Sequence, residues 1–205
     1  MTISLNAQVI KLLRGPVTAR IRFRFSTTDG RTITIAPQTF HRVARAIEAG
    51  NARVERSANL RSGVAAQYDS ASRNALQVNP MLGRIEEGLV LHEALHAAYD
   101  LLHTNINAAD EEASAYVVSS LYFRMTGVRP GRWNATLHAN AGEAANSLLR
   151  QYARGTAGIP AVDGHAFAIL RLLVMTDPVY MFPGSDTGDF TLGLATTLGS
   201  YTHDG

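Results

Sequence analysis

Residues 91 to 100 read Leu91-His92-Glu93-Ala94-Leu95-His96-Ala97-Ala98-Tyr99-Asp100, and they predict a helix around which the rest of the fold is arranged. At about 100° per residue, His92, His96 and Asp100 fall within one narrow stripe, and most other directions are apolar. A helix face in water normally carries Lys, Arg, Glu and Gln over a wide arc. The stripe is therefore expected to be buried, where its two imidazoles need polar partners, and a metal ion satisfies both at once.

The spacing of His92 and His96, with Glu93 beside the first, is typical of a catalytic zinc site. Two histidines one helical turn apart can point ring nitrogens at the same Zn²⁺. Zinc lowers the pKa of a bound water toward about 7, and Glu93 can accept the proton of that water as it attacks a carbonyl carbon. Because a structural zinc site needs no acid at this position, Glu93 favours catalysis over a purely structural role.

A catalytic zinc site needs a third protein ligand. The chain has no cysteine, so that ligand must be a histidine or a carboxylate. His103 shares the stripe but lies about 10 Å beyond His96 along the helix axis, too far unless the helix breaks. The remaining candidates lie in the next predicted helix, at Asp110, Glu111 and Glu112.

The stretch from Leu91 to Tyr116 resembles the gluzincin class of zinc metallopeptidases. Residues 92–100 are similar to the thermolysin-like pattern HExxHAxxD, and Glu112-Ala113 is similar to the Glu-Ala pair that supplies the third ligand in that class. The resemblance implies a zincin-like fold and a zinc-dependent hydrolase of peptide bonds. It also implies that His92, His96 and Glu112 are the Zn²⁺ ligands and that Glu93 is the general base.

One position departs from the class and leaves the register of the third ligand open. Tyr116 stands where the class commonly has an Asp that orients a ligand histidine, so Glu111 or Asp110 could take the place of Glu112. Small residues on the face of Glu112 would let the second helix approach closely, which favours Glu112 over Glu111. These small residues are Ala108, Ala109 and Ser119.

Zinc peptidases usually supply a Tyr or His that donates a hydrogen bond to the developing oxyanion. Tyr116 is our candidate for this catalytic role, and His165 and Tyr180 are alternatives. Asp100 either orients a ligand histidine through its second ring nitrogen or forms a hydrogen bond within its own helix.

Hydrophobic periodicity and turn signals predict strands first and helices afterwards, which is typical of an α+β domain. We expect hairpins over 17–36 and 64–78, a strand over 52–57, and helices over 5–14, 38–49, 84–103, 108–126, 135–154 and 164–175. Asn107 is the predicted N-cap of the helix over 108–126, and Gly127 the residue past its end.

The whole chain, 1–205, is expected to form a single zincin-like metallopeptidase domain. Residues 1–80 form its sheet-rich part, 81–177 its helical part with the metal site, and 178–205 a loop-rich tail. The sheet is expected to be small, twisted, mostly antiparallel and packed on the helix that carries HExxH. A peptide or protein substrate would then pair with an edge strand, for which Ala75–Val78 is the candidate because it directly precedes that helix.

Composition narrows the range of partners. The net charge is only +2 and Lys11 is the sole lysine. Arg20, Arg22 and Arg24 alternate with apolar residues, which indicates a solvated strand face rather than a nucleic-acid surface. We therefore expect neither nucleic acid nor membrane as a partner, and the oligomeric state stays open.

The segment Met1–Leu5 does not have the pattern of a signal peptide, and no uncharged run reaches the roughly 18 residues of a membrane span. These features predict a cytoplasmic protein, although export without an N-terminal signal stays open. The main alternative function is a non-catalytic, zinc-binding structural or interaction module in which the metal only joins two helices.

Overall fold

The computed structural model describes residues 3–56, 66–69, 74–78, 83–129, 135–177 and 200–201. Within them the helices are α1 (Leu5–Leu13), α2 (Pro37–Ala49), α3 (Arg84–Leu101), α4 (Ala108–Thr126), α5 (Ala135–Ala153) and α6 (Gly164–Thr176). The strands are β1 (Phe23–Ser26), β2 (Thr32–Ile35), β3 (Arg53–Arg56), β4 (Ala66–Asp69), β5 (Ala75–Val78), β6 (Ile106–Asn107) and β7 (Ser200–Tyr201). The α+β class is confirmed, and the predicted helices end within about two residues of their predicted bounds.

The described strands form three small sheets, not the single sheet expected. β1 and β2 form an antiparallel hairpin, β3, β5 and β4 form a mixed sheet in that order, and β6 pairs with β7. β1 does not join the mixed sheet because its other edge is taken by the loop before α6. There, the N–H of Arg24 donates to the carbonyl of Pro160, and the N–H of Val162 donates to the carbonyl of Arg24.

The expectation that Ala75–Val78 is an edge strand is wrong. This segment, β5, is the central strand, with β3 parallel on one side and β4 antiparallel on the other. Among the strands that the structure describes, β4 is therefore an edge of this sheet, and it also packs against α3. The order of the strands along the chain did not reveal this, because β3, the first of the three, pairs with β5, the last.

Two other expectations need correction. Arg20, Arg22 and Arg24 are exposed as expected, but only Arg24 belongs to β1, because a 3₁₀ turn over Thr18–Arg20 delays the start of the strand. The tail predicted over 178–205 lies mostly outside the described residues, and its described part, Ser200–Tyr201, is a two-residue strand that pairs with β6.

α3 and α4 form the centre of the fold. α3 contacts α1, α2, α4 and the mixed sheet, and α4 contacts α3, α5 and α6. The two helices approach closely at Gly88, where an added Cβ would lie 2.2 Å from the ring of Phe123. Asn107 caps α4 by accepting a hydrogen bond from the N–H of Asp110, and Gly127 ends it in the left-handed conformation at φ 71, so both predicted boundaries are confirmed.

None of the helices in the described parts of the chain combines the length and the apolar character that crossing a membrane requires.

Candidate metal centre

Three buried side chains converge where α3 and α4 meet. They are His92, His96 and Glu112, and one donor atom from each lies within 4.8 Å of the others. His92 is 7%, His96 2% and Glu112 3% exposed. These are the three residues that the resemblance implied as ligands.

Local structure explains the convergence. His92 and His96 share one face of α3 because they are four residues apart, and their ring centroids are 5.0 Å from each other. The carboxylate of Glu112 faces both rings, with Oε2 3.3 Å from Nε2 of His92 and Oε1 3.4 Å from Nε2 of His96. Each ring thus presents the same nitrogen to the same carboxylate.

Glu111 contacts the opposite side of one of these rings. Its Oε1 lies 2.6 Å from Nδ1 of His96, and both side chains are buried. With Nδ1 donating to Glu111, the lone pair of Nε2 in the neutral ring points toward Glu112 and the position of a metal. Glu111 is therefore placed to orient His96, and it is not a member of the group that could hold a metal ion.

Asp110, the third acid considered as a ligand, is occupied elsewhere. It is fully buried and accepts hydrogen bonds from the N–H of Thr28 at 2.8 Å and from Arg171 at 2.8 Å. These bonds attach the β1–β2 hairpin and α6 to the first turn of α4. Asp110 thus fixes the start of the helix that carries Glu112.

The buried charges strongly affect one another. Burial alone would lower the pKa of His96, but the carboxylates of Glu112 and Glu111 outweigh it and raise that pKa to about 10. Burial likewise favours the neutral form of Glu112, yet His96 and His92 hold the pKa of Glu112 below its usual value. Near neutral pH, these two shifts favour a protonated His96 paired with a charged Glu112.

Glu93, on α3, lies beside the group formed by His92, His96 and Glu112, but its hydrogen bond is with a strand. Its Oε2 accepts a hydrogen bond from the backbone N–H of Tyr68 in β4 at 2.9 Å. Burial is the main cause of the raised pKa of Glu93, which the positive charges of His92 and His96 oppose. The acid is thus held next to the donor group without being one of its members.

Tyr116 packs against His92 as part of a row of rings. Its ring meets that of His92 edge to face at 5.0 Å, and the ring of His138 meets Tyr116 at 5.3 Å. Phe123 closes the row at 6.1 Å from His138. The candidate oxyanion donor is therefore beside a ligand histidine, although this does not test its catalytic role.

Sequence analysis missed His138 and Tyr68. His138 is buried on α5, and burial together with the charge of His92 lowers its pKa to about 4. Its signal in the sequence is a histidine within the apolar face that contains Leu137, Ala141, Ala145 and Leu148. The contact of Tyr68 with Glu93 is made by the backbone N–H of Tyr68, so the pattern of side chains in the sequence does not predict it.

The remaining candidates are placed elsewhere. Asp100 accepts a hydrogen bond from the hydroxyl of Tyr68 at 2.5 Å, a contact that was not expected from the sequence. His165 is exposed on the first turn of α6, and His103 is exposed just past the end of α3. Tyr180 lies outside the described residues.

Comparisons with known proteins add no relatives. No model of a protein family matches the chain, and no match was found among curated proteins or solved structures. The resemblance to gluzincins therefore rests on the motif and on the geometry of the donor group.

The chemistry of the donor group fits a catalytic divalent metal. Two imidazole nitrogens and one carboxylate oxygen are ligands that Zn²⁺ takes in hydrolytic sites, where a fourth position stays open. The same three donor types also serve Fe²⁺ in oxygenases. Glu93 beside the donors favours hydrolysis, because a positioned carboxylate can accept a proton from water.

Proposed function

We propose that this chain is a zinc-dependent metallopeptidase of the gluzincin type, with His92, His96 and Glu112 as metal ligands and Glu93 as general base. The observation that carries the proposal is the buried group of two histidines and one glutamate, contributed by two helices, with a second glutamate beside it. Glu93 is what distinguishes this arrangement from a site that only joins helices.

The residues of the chain divide the reaction among them. A bound Zn²⁺ would act as a Lewis acid that polarises the peptide carbonyl and makes water more acidic. Glu93 takes the proton of the attacking water and later passes it to the leaving amine. Glu111 keeps Nε2 of His96 directed at the metal. Tyr116, beside His92, donates to the oxyanion as carbonyl character is lost.

The edge strand β4 supports a peptide as substrate. Because the N–H of Tyr68 points to Glu93 and not to β5, residues 66 and 68 direct their backbone groups away from the sheet. The carbonyl of Tyr68 and the backbone groups of Ala66 are therefore placed to pair with an extended chain next to the base. This strand replaces β5 as our candidate for binding the substrate.

The test is hydrolysis of a mixed peptide library, followed by mass spectrometry. We expect cleavage by the wild type, loss after chelation and recovery when zinc is returned. Glu93→Gln keeps the size of the side chain but cannot accept the proton, so we expect a rate lower by about 10²–10⁴ with metal content unchanged. Glu143→Gln, an exposed change on α5, is the matched control and should retain full activity.

One observation favours the alternative, a non-catalytic zinc module. All three donors are less than a tenth exposed, as in closed structural sites. A zinc-loaded wild type that cleaves no peptide would support that module, and so would equal cleavage by wild type and Glu93→Gln.

A further inference from the structure

Tyr68 contacts α3 at two places that are two helical turns apart. Its backbone N–H donates to Glu93 at 2.9 Å, and its hydroxyl donates to Asp100 at 2.5 Å. Glu93 and Asp100 are seven residues apart, or about 10 Å along the helix. A single residue of the edge strand is therefore fixed to the helix at both ends.

The contact with Glu93 involves the free edge of the sheet. Tyr68 lies opposite Leu76 in the antiparallel pair, and its N–H is directed away from β5. Apart from this bond, the N–H would be one of the unpaired donors that an edge strand presents. The bond holds one carboxylate oxygen of Glu93 and leaves the other for the attacking water.

The precision of this bond depends on how well the strand is held. β4 has only four residues, and its one partner among the described strands is β5. Tyr68 is 4% exposed, so water reaches its bond to the partly exposed Asp100 from one side only. Its ring is thereby anchored to the same helix that carries the base.

We infer that Tyr68 is a positioning residue for the general base: its buried hydroxyl, held by Asp100, fixes its backbone N–H against Glu93. The inference rests on the proposed function. It adds a residue pair, Tyr68 and Asp100, that controls the orientation of Glu93 and is separate from the three proposed metal ligands. If the pair only attached the strand to the helix, its loss would lower stability and leave the chemical step unchanged.

The kinetic test compares Tyr68→Phe and Asp100→Ala, singly and together, with the zinc-loaded wild type. Each single change should lower kcat by about 10- to 100-fold, the range expected when a reacting group is slightly misplaced. Zinc affinity should stay within about twofold, since the proposed ligands are unchanged, and any rise in KM should be smaller than the fall in kcat, since the backbone groups of β4 remain. The double variant should lose little more than Tyr68→Phe alone, because both changes break the bond to Asp100. Tyr68→Phe also removes the longer contact of the hydroxyl with Oδ1 of Asn74 at 3.3 Å. Asp100→Asn retains an acceptor and should restore part of the rate.

Two comparisons separate positioning from stability. Tyr99→Phe removes another buried hydroxyl of α3, the one that contacts Ser114 at 2.9 Å, and should lower the melting temperature without changing kcat. In a Glu93→Gln background, Tyr68→Phe should have almost no further effect, because there is no base to orient. An unchanged kcat in Tyr68→Phe, or an equal loss in both backgrounds, overturns the inference.

A measurement without any substrate separates this inference from the proposed function. Amide hydrogen exchange should show the N–H at position 68 protected in the wild type, and at least about tenfold faster exchange in Glu93→Ala, Tyr68→Phe and Asp100→Ala. The neighbouring amide at position 69 serves as the reference for the strand. If the zinc-loaded wild type cleaves no peptide but the exchange pattern is found, the peptidase proposal is refuted while the contact between Tyr68 and Glu93 stands. Equal exchange in all variants refutes the positioning role.

Discussion

Glu111 accepts a hydrogen bond from Nδ1 of His96 at 2.6 Å. The other nitrogen of that ring lies 3.4 Å from Glu112, so two adjacent acids on α4 contact opposite sides of one imidazole. Because residues next to each other on a helix point about 100° apart, they can serve one site in different ways. Glu112 is placed to bind a metal, and Glu111 to orient the histidine.

This division predicts different effects on zinc affinity. Glu111→Gln should weaken zinc binding by about 10- to 100-fold, as loss of a partner to a ligand histidine typically does. Glu112→Gln removes a charged ligand and should weaken it much more. Competition with a chromophoric chelator measures both affinities. A larger loss in the Glu111 variant would exchange the two roles and leave the metal site in place.

The two central helices could be predicted because their signals are local. The polar stripe from His92 to Asp100 lies on one helix, and Asn107 and Gly127 mark the ends of the next. The choice between Glu111 and Glu112 was harder, since it depends on the angle at which α4 packs on α3. The contact at Gly88 and the bonds of Asp110 set that angle, and both involve partners far away in the sequence.

Strand order could not be predicted in the same way. All three strands β3, β4 and β5 were predicted from the sequence. Their order in the sheet, however, depends on the parallel pairing of β3 with β5, which are far apart in the sequence. The parallel pairing of β3 with β5 made Ala75–Val78 central and β4 the edge. For the same reason, the contact of Tyr68 with Glu93 could not be expected, because it exists only when β4 is the edge strand.

The raised pKa of His96 predicts that zinc competes with a proton well above neutral pH. The pKa is about 10 in the metal-free protein, so the ring is charged below that pH and must lose a proton to bind zinc. Apparent zinc affinity should therefore rise about tenfold per unit between about pH 7 and about pH 9, where an ordinary histidine with a pKa of about 6.5 is already neutral.

Calorimetry in two buffers with different heats of ionisation measures the proton released on zinc binding in that range. About one proton per zinc should be released from His96 at neutral pH. Glu111→Gln removes one of the charges that raise the pKa of His96. In this variant, the number of protons released on zinc binding should therefore fall toward zero at a lower pH than in the wild type. A zinc affinity that does not change between neutral and alkaline pH would contradict the buried pairing of His96 with two carboxylates.

The close approach of α3 and α4 predicts that Gly88→Ala destabilises the protein. The new Cβ would lie 2.2 Å from Cε1 of Phe123, whose ring is 1% exposed and has little room to move. Overpacking of this kind costs about 1–3 kcal/mol, which exceeds the roughly 1 kcal/mol that alanine gains over glycine in a helix. Thermal unfolding of the metal-free proteins measures the change.

Gly142→Ala is the matched control for this substitution. Its Cβ would meet the end of the Arg124 side chain at 2.7 Å, and Arg124 is exposed and can move aside. The helix preference for alanine should then dominate, and stability should be unchanged or higher by up to about 1 kcal/mol. Equal losses in the two variants would show that contact with Phe123 is not what restricts Gly88.

Metal content tests the central claim most directly. Elemental analysis of protein purified without chelator should find about one zinc per chain in the wild type and in His165→Ala, an exposed histidine on α6. His96→Ala and Glu112→Gln should contain far less, because each has lost a ligand. A wild type without a stoichiometric transition metal, or zinc retained in full by both ligand variants, would contradict the account, and stoichiometric iron would replace the zinc peptidase with a different metal enzyme.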